Sequence, residues 1–287
     1  MFEKKIFYNV EKKIDEMIVF ALKEDLADGD LTTDYLVEKG VKGIARVIAK
    51  EDLVLAGHLP FKMVFQHLNP DICISFLFEE GTSVEKGKTV CEIRGPYDLL
   101  LSGERTALNF LQHLCGVATL THSYVEKIKA YKAVLLDTRK TTPGWRLLEK
   151  MSVLAGGGTN HRFGLYDAVL IKENHISACG GVKLAVEKAI CLRADNIKVE
   201  VEVKNLSELK EAMAAGPDMI MLDNMTCEEM RQAVEIAGGK IPLEASGNVN
   251  LDTIADIAAT GVNYISVGAI THSARAVDLS MLIERSE

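Results

Sequence analysis

The sequence predicts an α/β fold made of a smaller N-terminal α/β domain and an incomplete (β/α) barrel. From residue 130 onward, short apolar runs alternate with segments of helical periodicity, which is typical of βα units on a parallel sheet or barrel. About six such runs are present, fewer than the eight strands of a complete barrel. Residues 43–95 instead have the pattern of short strands separated by turns, which indicates a separate mixed α/β unit.

Two helices are predicted around that N-terminal unit. In residues 10–24 the apolar side chains recur at helical spacing, which predicts an amphipathic helix; they are Val10, Ile14, Met17, Ile18, Ala21 and Leu22. Residues 102–128 also have helical periodicity, and we expect Ser102 to cap the N-terminus of that helix.

The predicted strands of the barrel are apolar runs of similar length. They span 133–138, 167–172, 198–203, 218–223, 241–246 and 263–268. Helical segments such as VKLAVEKAICLR and LDTIADIAATG separate them. Because the catalytic groups of a (β/α) barrel come from the carboxyl ends of its strands, the residues that follow these runs are the candidates for a site.

Length, charge and hydrophobicity exclude several classes of function. A chain of 287 residues that is 48% hydrophobic can bury a large core. Its net charge of −8 argues against general nucleic-acid binding, which needs a basic domain or stripe. No apolar run reaches the roughly 18 residues of a membrane span, and the start MFEKKIFYNVEKK lacks the apolar segment of a secretory signal. We therefore expect a cytoplasmic protein without nucleic-acid or membrane partners.

Polar side chains cluster at the carboxyl ends of the predicted strands. They are Asp137, Arg139 and Lys140, then Lys172, Asn174 and His175, then Glu200 and Glu202, then Asp223 and Asn224, and then Glu244, Ser246 and Asn248; the last strand ends at Gly268, which offers its backbone. Since these ends meet at one face of a barrel, we expect the side chains to surround a common site. Polar residues scattered by chance would not follow the strand ends.

The cations of this set suit an anionic ligand. Arg139 and Arg162 can each bind a carboxylate or phosphate with a planar guanidinium group, and Lys140 and Lys172 add compact positive charges. The net charge of the chain is negative, so this local gathering of cations needs a specific anion to explain it.

The remaining strand ends suit a metal ion and a phosphate. Glu202 and Asp223 can hold magnesium or the hydroxyls of a sugar. Glycine-containing turns at 245–249 and 266–270 follow the last two strands, and backbone N–H groups there can bind a phosphate. Cations and carboxylates at one barrel mouth therefore indicate a sugar phosphate bound with a metal.

Several longer motifs resemble those of one enzyme family. They are GDLTTD, SGERTALNFLQHLCGVAT, DTRKTTPGWR, GGGTNHRFGLYDAVLIKENH, VEVEV, LDN, EASGN and ISVGAITHS, and they extend over most of the chain. The series is similar to the quinolinate phosphoribosyltransferases, which have the type II phosphoribosyltransferase fold. The resemblance implies transfer of phosphoribosyl from 5-phosphoribosyl 1-pyrophosphate to quinolinate with magnesium, releasing carbon dioxide and pyrophosphate. The product would be nicotinate mononucleotide, a precursor of NAD.

The resemblance also implies the domains and the assembly. An N-terminal α/β sandwich domain would cover residues 1–115, joined by the C-terminal segment 275–287, and the barrel would cover 116–274. Two subunits would form a homodimer with shared active sites, each completed by Arg105 of the neighbouring subunit.

Site residues follow from the resemblance position by position. The quinolinate pocket would contain Arg105, Arg139, His161, Arg162 and Lys172. The donor site would contain Lys140, Glu202, Asp223, Ser246, Gly247, Asn248, Gly268 and Ala269, with Thr138, Ile270 and His272 also among the substrate-binding residues. Glu202 and Asp223 would hold magnesium, directly or indirectly, as the one cofactor, and with Lys140 and Lys172 they would be the catalytic residues.

Other interpretations remain open. A paralogue on the same scaffold would act on another pyridine carboxylate or serve a molybdenum-associated role. A barrel lyase or aldolase would use Lys172 as a Schiff base. A non-enzymatic anion-binding protein would need no catalytic carboxylates. His161 is either a substrate contact or a loop residue that orients its neighbours, and Glu200 either pairs with a neighbour or supports one.

Overall fold

The structure is a computed structural model and describes residues 10–286. It divides into two compact units, each with its own β-sheet. The first unit contains residues 10–120, 147–157 and 274–286. The second contains residues 121–146 and 158–273.

The first unit is built on antiparallel strands. These are β1 (Lys42–Ala49), β2 (Leu53–Val54), β3 (Cys73–Phe76), β4 (Ser83–Val84), β5 (Thr89–Pro96) and β12 (Leu279–Arg285). Its helices are α1 (Val10–Leu26), α2 (Leu31–Leu36), α3 (His58–Leu68), most of α4 (Tyr97–Ile128) and nearly all of α5 (Arg146–Ala155). The main sheet has the order β12-β1-β5-β3, so the C-terminal strand pairs with the first strand of the chain. Every second residue of β1 is buried, and that alternation gives the sheet its core face.

The two predicted N-terminal helices differ in how well their limits were predicted. The helix over 10–24 is confirmed as α1, which buries one residue per turn and packs against α3. The helix predicted over 102–128 begins earlier, at Tyr97, so the prediction that Ser102 is its N-cap is wrong. The Ser102 hydroxyl instead donates to the Asp98 carbonyl and to the Asp30 carboxylate. The strand β5 ends at Pro96 and the helix begins at the next residue, Tyr97. Because no turn residues separate the two elements, the sequence pattern does not mark where the helix begins.

The second unit is built on parallel strands, and each coincides with a predicted one. They are β6 (Val134–Leu136), β7 (Val169–Ile171), β8 (Val199–Val203), β9 (Met219–Asp223), β10 (Leu243–Ser246) and β11 (Tyr264–Ser266). Between and after them lie α6 (Glu173–Cys179), α7 (Val182–Leu192), α8 (Leu206–Ala215), α9 (Cys227–Ala237), α10 (Ile254–Ala258) and α11 (Ala269–His272). The sheet order is β6-β11-β10-β9-β8-β7. The predicted α/β architecture with a six-stranded parallel sheet is therefore confirmed.

The division of the chain also involves α5. This helix lies between β6 and β7 in the sequence, yet residues 147–157 belong to the first unit. The limits 1–115 and 116–274 remain a prediction about which segments form independent domains. Among the described residues, no helix combines the length and apolar character needed to cross a lipid bilayer.

Candidate active site

One face of the parallel sheet carries the polar side chains. Along β8, fully buried valines on one face alternate with Glu200 and Glu202 on the other. The register across β9 aligns Glu202 with Glu244 of β10, and it pairs Asp223 with Ser246. The acidic residues share a face because they occupy alternate positions in strands whose other face is apolar.

The most buried polar cluster consists of His161, Glu200 and Glu244. Nε2 of His161 lies 3.0 Å from Oε2 of Glu200 and 3.4 Å from Oε2 of Glu244. Burial lowers the pKa of His161, whereas the two facing carboxylates act in the opposite direction and favour a charged ring. Burial is also the main reason that the pKa of Glu200 is raised.

A backbone hydrogen bond shows where the ring proton lies. The N–H of Arg162 donates to Nδ1 of His161 at 2.7 Å, so Nδ1 keeps its lone pair and the ring proton is on Nε2. Because this contact is direct, it outweighs the tendency of the carboxylates to protonate the ring. The ligand atoms of His161, Glu200 and Glu244 lie within 4.8 Å of one another, as in a metal site. A metal would need the lone pair of Nε2, and this tautomer therefore does not suit one.

Lys172 and Glu202 form an ion pair at the ends of neighbouring strands. Nζ of Lys172 lies 3.1 Å from Oε2 of Glu202. Leu170 of β7 pairs with Glu200 of β8, so residues 172 and 202 lie at the same level. The Lys172 side chain is 53% exposed and that of Glu202 is 13% exposed. The lysine can therefore meet a ligand from solvent while the glutamate holds it in place.

Asn224 joins the ends of β9 and β10. Its Nδ2 donates to Oδ1 of Asp223 at 2.8 Å, and its Oδ1 accepts from Nδ2 of Asn248 at 3.0 Å. Its backbone N–H donates to the Ser246 carbonyl at 2.9 Å. Gly247 has a φ of +97°, and a Cβ there would lie 2.2 Å from Oδ1 of Asn224. The turn after β10 therefore requires glycine in order to keep Asn224 in contact with both of its partners.

Arg139 and Arg162 place two positive charges close together. Burial and then the charge of Arg139 lower the pKa of Arg162. Nη1 of Arg162 donates to the Ala168 carbonyl at 2.9 Å. Nε of Arg139 is buried and has no hydrogen-bond partner within residues 10–286. Two guanidinium groups held in this way favour an anion, because a bound anion offsets their repulsion.

Arg146 connects the loops that carry these two arginines. Its Nη2 donates to the Arg139 carbonyl at 3.3 Å, and its Nη1 donates to the Phe163 carbonyl at 3.1 Å. Its Nε donates to Oγ1 of Thr141 at 3.0 Å. A single guanidinium group thus fixes the backbone on both sides of the pair.

The loop after β6 meets the turn after β11. Oγ1 of Thr138 accepts from the N–H of Lys140 at 3.0 Å, and the Lys140 carbonyl accepts from Oγ1 of Thr271 at 2.7 Å. A Cβ on Gly268 would lie 2.9 Å from Cδ of Lys140 and 3.2 Å from the ring of His272. The structure therefore brings Thr138, Lys140, Gly268 and His272 together.

The other predicted site residues differ in position. Ala269 and Ile270 belong to the four-residue helix α11, and the Ile270 side chain is completely buried. Arg105 is exposed on α4 in the first unit, whereas the other predicted site residues lie in the second unit. The role of Arg105 remains a prediction that depends on a neighbouring subunit.

Four residues that shape the site were given no substrate-binding role by the sequence: Asp137, Arg146, Asn224 and Glu244. The carboxylate of Asp137 is buried and accepts hydrogen bonds from Nδ2 of Asn160 at 2.6 Å and from the N–H of His161 at 2.8 Å. The signal available in the sequence was position, because three of the four stand at predicted strand ends. Position does not show which partner each side chain contacts.

Comparisons with known proteins identify one family. Residues 30–115 match the model of the quinolinate phosphoribosyl transferase N-terminal domain, and residues 117–282 match that of its C-terminal domain. A probable nicotinate-nucleotide pyrophosphorylase (carboxylating) of Bacillus subtilis is 41% identical over 259 residues, covering 90% of this chain and 89% of its own.

Two solved structures agree with this result. The nicotinate-nucleotide pyrophosphorylase of Francisella tularensis is 45% identical, with a TM-score of 0.93 over 96% of this chain and 97% of its own. The corresponding protein of Ehrlichia chaffeensis is 38% identical, with a TM-score of 0.88 over 94% and 98% of the two chains. The resemblance predicted from the motifs is confirmed, and the chain belongs to the quinolinate phosphoribosyltransferase family of enzymes.

Proposed function

We propose that this enzyme transfers phosphoribosyl from 5-phosphoribosyl 1-pyrophosphate to quinolinate and releases carbon dioxide, giving nicotinate mononucleotide for NAD biosynthesis. The observation that carries the proposal is the pair Arg139 and Arg162, whose loops are joined by the Arg146 guanidinium group, in the same unit as the ion pair of Lys172 and Glu202. Quinolinate is a small aromatic dianion, and two guanidinium groups with a mobile lysine match its two carboxylates. The relatives named above carry this activity in their names.

The reaction needs positioning and charge rather than a nucleophile on the protein. Loss of pyrophosphate leaves an oxocarbenium-like carbon on the ribose, and the carboxylates of Glu202 and Asp223 can stabilise it. Lys140 offsets the charge of the leaving pyrophosphate. The pyridine nitrogen attacks that carbon. The electron pair of the breaking C–CO2 bond then stays on the adjacent ring carbon, stabilised by the quaternised nitrogen, and that carbon takes a proton from water. Carbon dioxide therefore leaves without a covalent protein intermediate.

Magnesium belongs to the proposal, and the residues present suit it. Glu202 and Asp223 are partly exposed carboxylates on one face of neighbouring strands, and such oxygen ligands are the ones magnesium prefers. Each uses one oxygen in the contacts seen within residues 10–286. When bound, the ion supplies positive charge for the pyrophosphate group.

We further propose a cytoplasmic homodimer with shared sites. Exposure of Arg105 on the first unit supports the sharing, because an exposed arginine is available to a neighbouring subunit. Small-molecule substrates fit the anion-binding character of the site, and no nucleic-acid or membrane partner is needed.

The activity can be tested with purified protein, quinolinate, 5-phosphoribosyl 1-pyrophosphate and magnesium. We expect nicotinate mononucleotide and carbon dioxide in equal amounts, and no product when nicotinate replaces quinolinate, because the arginine pair is matched to two carboxylates. Omission of magnesium should stop the reaction. Product from neither acceptor would contradict the proposal and favour the paralogue that acts on another ring carboxylate.

The turn after β10 gives a second test, on the donor site. Gly247→Ala should raise the KM for 5-phosphoribosyl 1-pyrophosphate about tenfold or more, because the new Cβ displaces Asn224 from hydrogen bonds worth about 1 kcal/mol each. Gly239→Ala is the matched control, since Gly239 also has a positive φ, +75°, but open space around its Cβ position. The control should lose stability with an unchanged KM. An equal KM in both variants would remove Gly247 from the donor site.

A further inference from the structure

His161 uses both ring nitrogens inside the protein. Nδ1 accepts the backbone N–H of Arg162 at 2.7 Å, and Nε2 faces the carboxylates of Glu200 and Glu244 at 3.0 and 3.4 Å. Its own backbone N–H donates to Oδ1 of Asp137 at 2.8 Å. A residue bound in this way has no ring nitrogen left to offer a substrate without breaking one of these contacts.

The partners of His161 lie on separate parts of the sheet. Glu200 is in the middle of β8 and Glu244 is in β10, while Asp137 follows β6. These three acids are at most 4% exposed. His161 therefore ties the loop between α5 and β7 to two strands and to the residue that follows a third. The next residue in that loop is Arg162, whose position is set by the hydrogen bond to Nδ1.

Glu244 has a further distinction. It is completely buried, and neither of its carboxylate oxygens makes a directional hydrogen bond with a residue in the described part of the chain. Its Oε2 lies 3.4 Å from Nε2 of His161. Burying a carboxylate in such surroundings costs free energy of folding, because few groups are present to replace its hydration. A carboxylate kept there despite this cost points to a role for the side chain.

The charge of the cluster also bears on the arginine pair. Arg139 disfavours the charged form of Arg162, whereas the negative charge of Glu200 favours it. The buried acids thus offset the repulsion between two guanidinium groups before any anion binds. This combination of fixed geometry and opposite charge is what an anion site needs for preorganisation.

We propose that Glu200 and Glu244 are positioning residues, which hold His161 as a strut that orients Arg162, and that His161 does not contact the acceptor substrate through a ring nitrogen. This role deepens the proposed function and rests on it for the identity of the acceptor. The strut itself exists without substrate. It can therefore be tested separately from the activity.

The first test needs no mutation. Long-range ¹⁵N–¹H spectra of the imidazole groups, with His161 assigned by the signal lost in His161→Gln, should show His161 protonated on Nε2 alone. Saturation with quinolinate should leave this pattern unchanged, because the ring nitrogens stay in their internal contacts. A substrate-induced change to Nδ1 protonation would overturn the proposal. Absence of enzyme activity would contradict the proposed function but would not affect the substrate-free spectrum.

Substitutions of Glu244 provide the second test. Glu244→Leu removes the carboxylate, whereas Glu244→Gln can keep an oxygen in the position that faces Nε2 of His161. We expect the leucine variant to raise the KM for quinolinate about tenfold, the effect of losing about one buried polar contact, with a much smaller change in kcat. The glutamine variant should recover most of that affinity, and Glu187→Gln, on the exposed surface of α7, should match the wild type.

The outcomes separate positioning from simple structural support. A strut predicts a rise in the KM for quinolinate with an unchanged KM for the donor, and a shifted Nε2–H signal of His161 in Glu244→Leu, because Glu200 and the N–H of Arg162 still hold the tautomer. Equal losses for both substrates, or an unshifted Nε2–H signal beside a raised KM, would contradict it. If the leucine variant does not fold, the KM of Glu244→Gln for quinolinate and the spectrum of His161 in the wild type still test the proposal.

Discussion

Replacing Lys172 with alanine should reduce kcat by about 10²–10³-fold, the loss typical of removing one preorganised polar group from a transition-state site. The Lys172 side chain is 53% exposed and its ammonium group contacts Glu202, so it can reach a ligand from the end of β7. Its removal also leaves Glu202 without its cation. Both effects weaken the arrangement of charge that the proposed reaction requires.

The fold should be unaffected by this change. An exposed ion pair contributes little to stability, and no core side chain is altered, so we expect an unfolding temperature within about 2 °C of the wild type. Lys188→Ala is a suitable control, because Lys188 is exposed on α7. Steady-state kinetics and thermal unfolding of both variants check the prediction. Wild-type turnover in Lys172→Ala would exclude this lysine from the site.

Lys172 also discriminates between reaction classes. A barrel lyase would form a Schiff base on this lysine and would be trapped by borohydride in the presence of a carbonyl substrate. The Lys172 side chain is 53% exposed and its Nζ lies 3.1 Å from Oε2 of Glu202, whereas a Schiff-base lysine is typically desolvated in an apolar pocket. We therefore expect no adduct on Lys172 and a role based on charge alone.

The parallel sheet could be predicted from the sequence because its signal is local. Each strand is a short apolar run, and each observed strand lies within its predicted limits. Polar residues at the strand ends were recognisable for the same reason. Ser102 shows the limit of local reasoning, since a good capping residue can also lie inside a helix that begins one turn earlier.

The partners within the site could not be predicted, because they depend on contacts between distant segments. Glu244 stands 83 positions after His161, and the register of β8, β9 and β10 places Glu200 and Glu244 on the face where both contact the His161 ring. The tautomer of His161 depends on the direction of one backbone N–H. Asn224 gains its role from the left-handed turn at Gly247. None of these contacts produces a periodic pattern in the amino-acid sequence.

The contacts within the second unit explain why charge dominates the proposed mechanism. In the proposed mechanism, Arg139, Arg162 and Lys172 receive the acceptor, while the carboxylates at the ends of β8 and β9 face the donor. Opposite charges on adjacent strand ends hold one another in place, as Lys172 and Glu202 do. The enzyme therefore enters the reaction with its charged groups already oriented, which reduces the cost of reorganising them in the transition state.

Mixing two inactive variants should restore activity if the site is shared between subunits. Arg105 lies in the first unit and Lys172 in the second. If each site combines Lys172 of one subunit with Arg105 of the other, a heterodimer of Arg105→Ala and Lys172→Ala has both substitutions in one site and none in the other. Random exchange of equal amounts should give about a quarter of wild-type activity, because half of the dimers are mixed and each has one complete site.

A second mixture controls for activity caused by exchange itself. Lys140→Ala and Lys172→Ala both alter the second unit, so every site in their heterodimer keeps one defect and no activity should return. Subunit exchange is confirmed in both mixtures by mass spectrometry of differently tagged chains. Recovery only in the mixture with Arg105→Ala requires that this arginine act in the site of the neighbouring subunit. Equal results in the two mixtures, with exchange complete, would mean that each subunit works with its own residues alone.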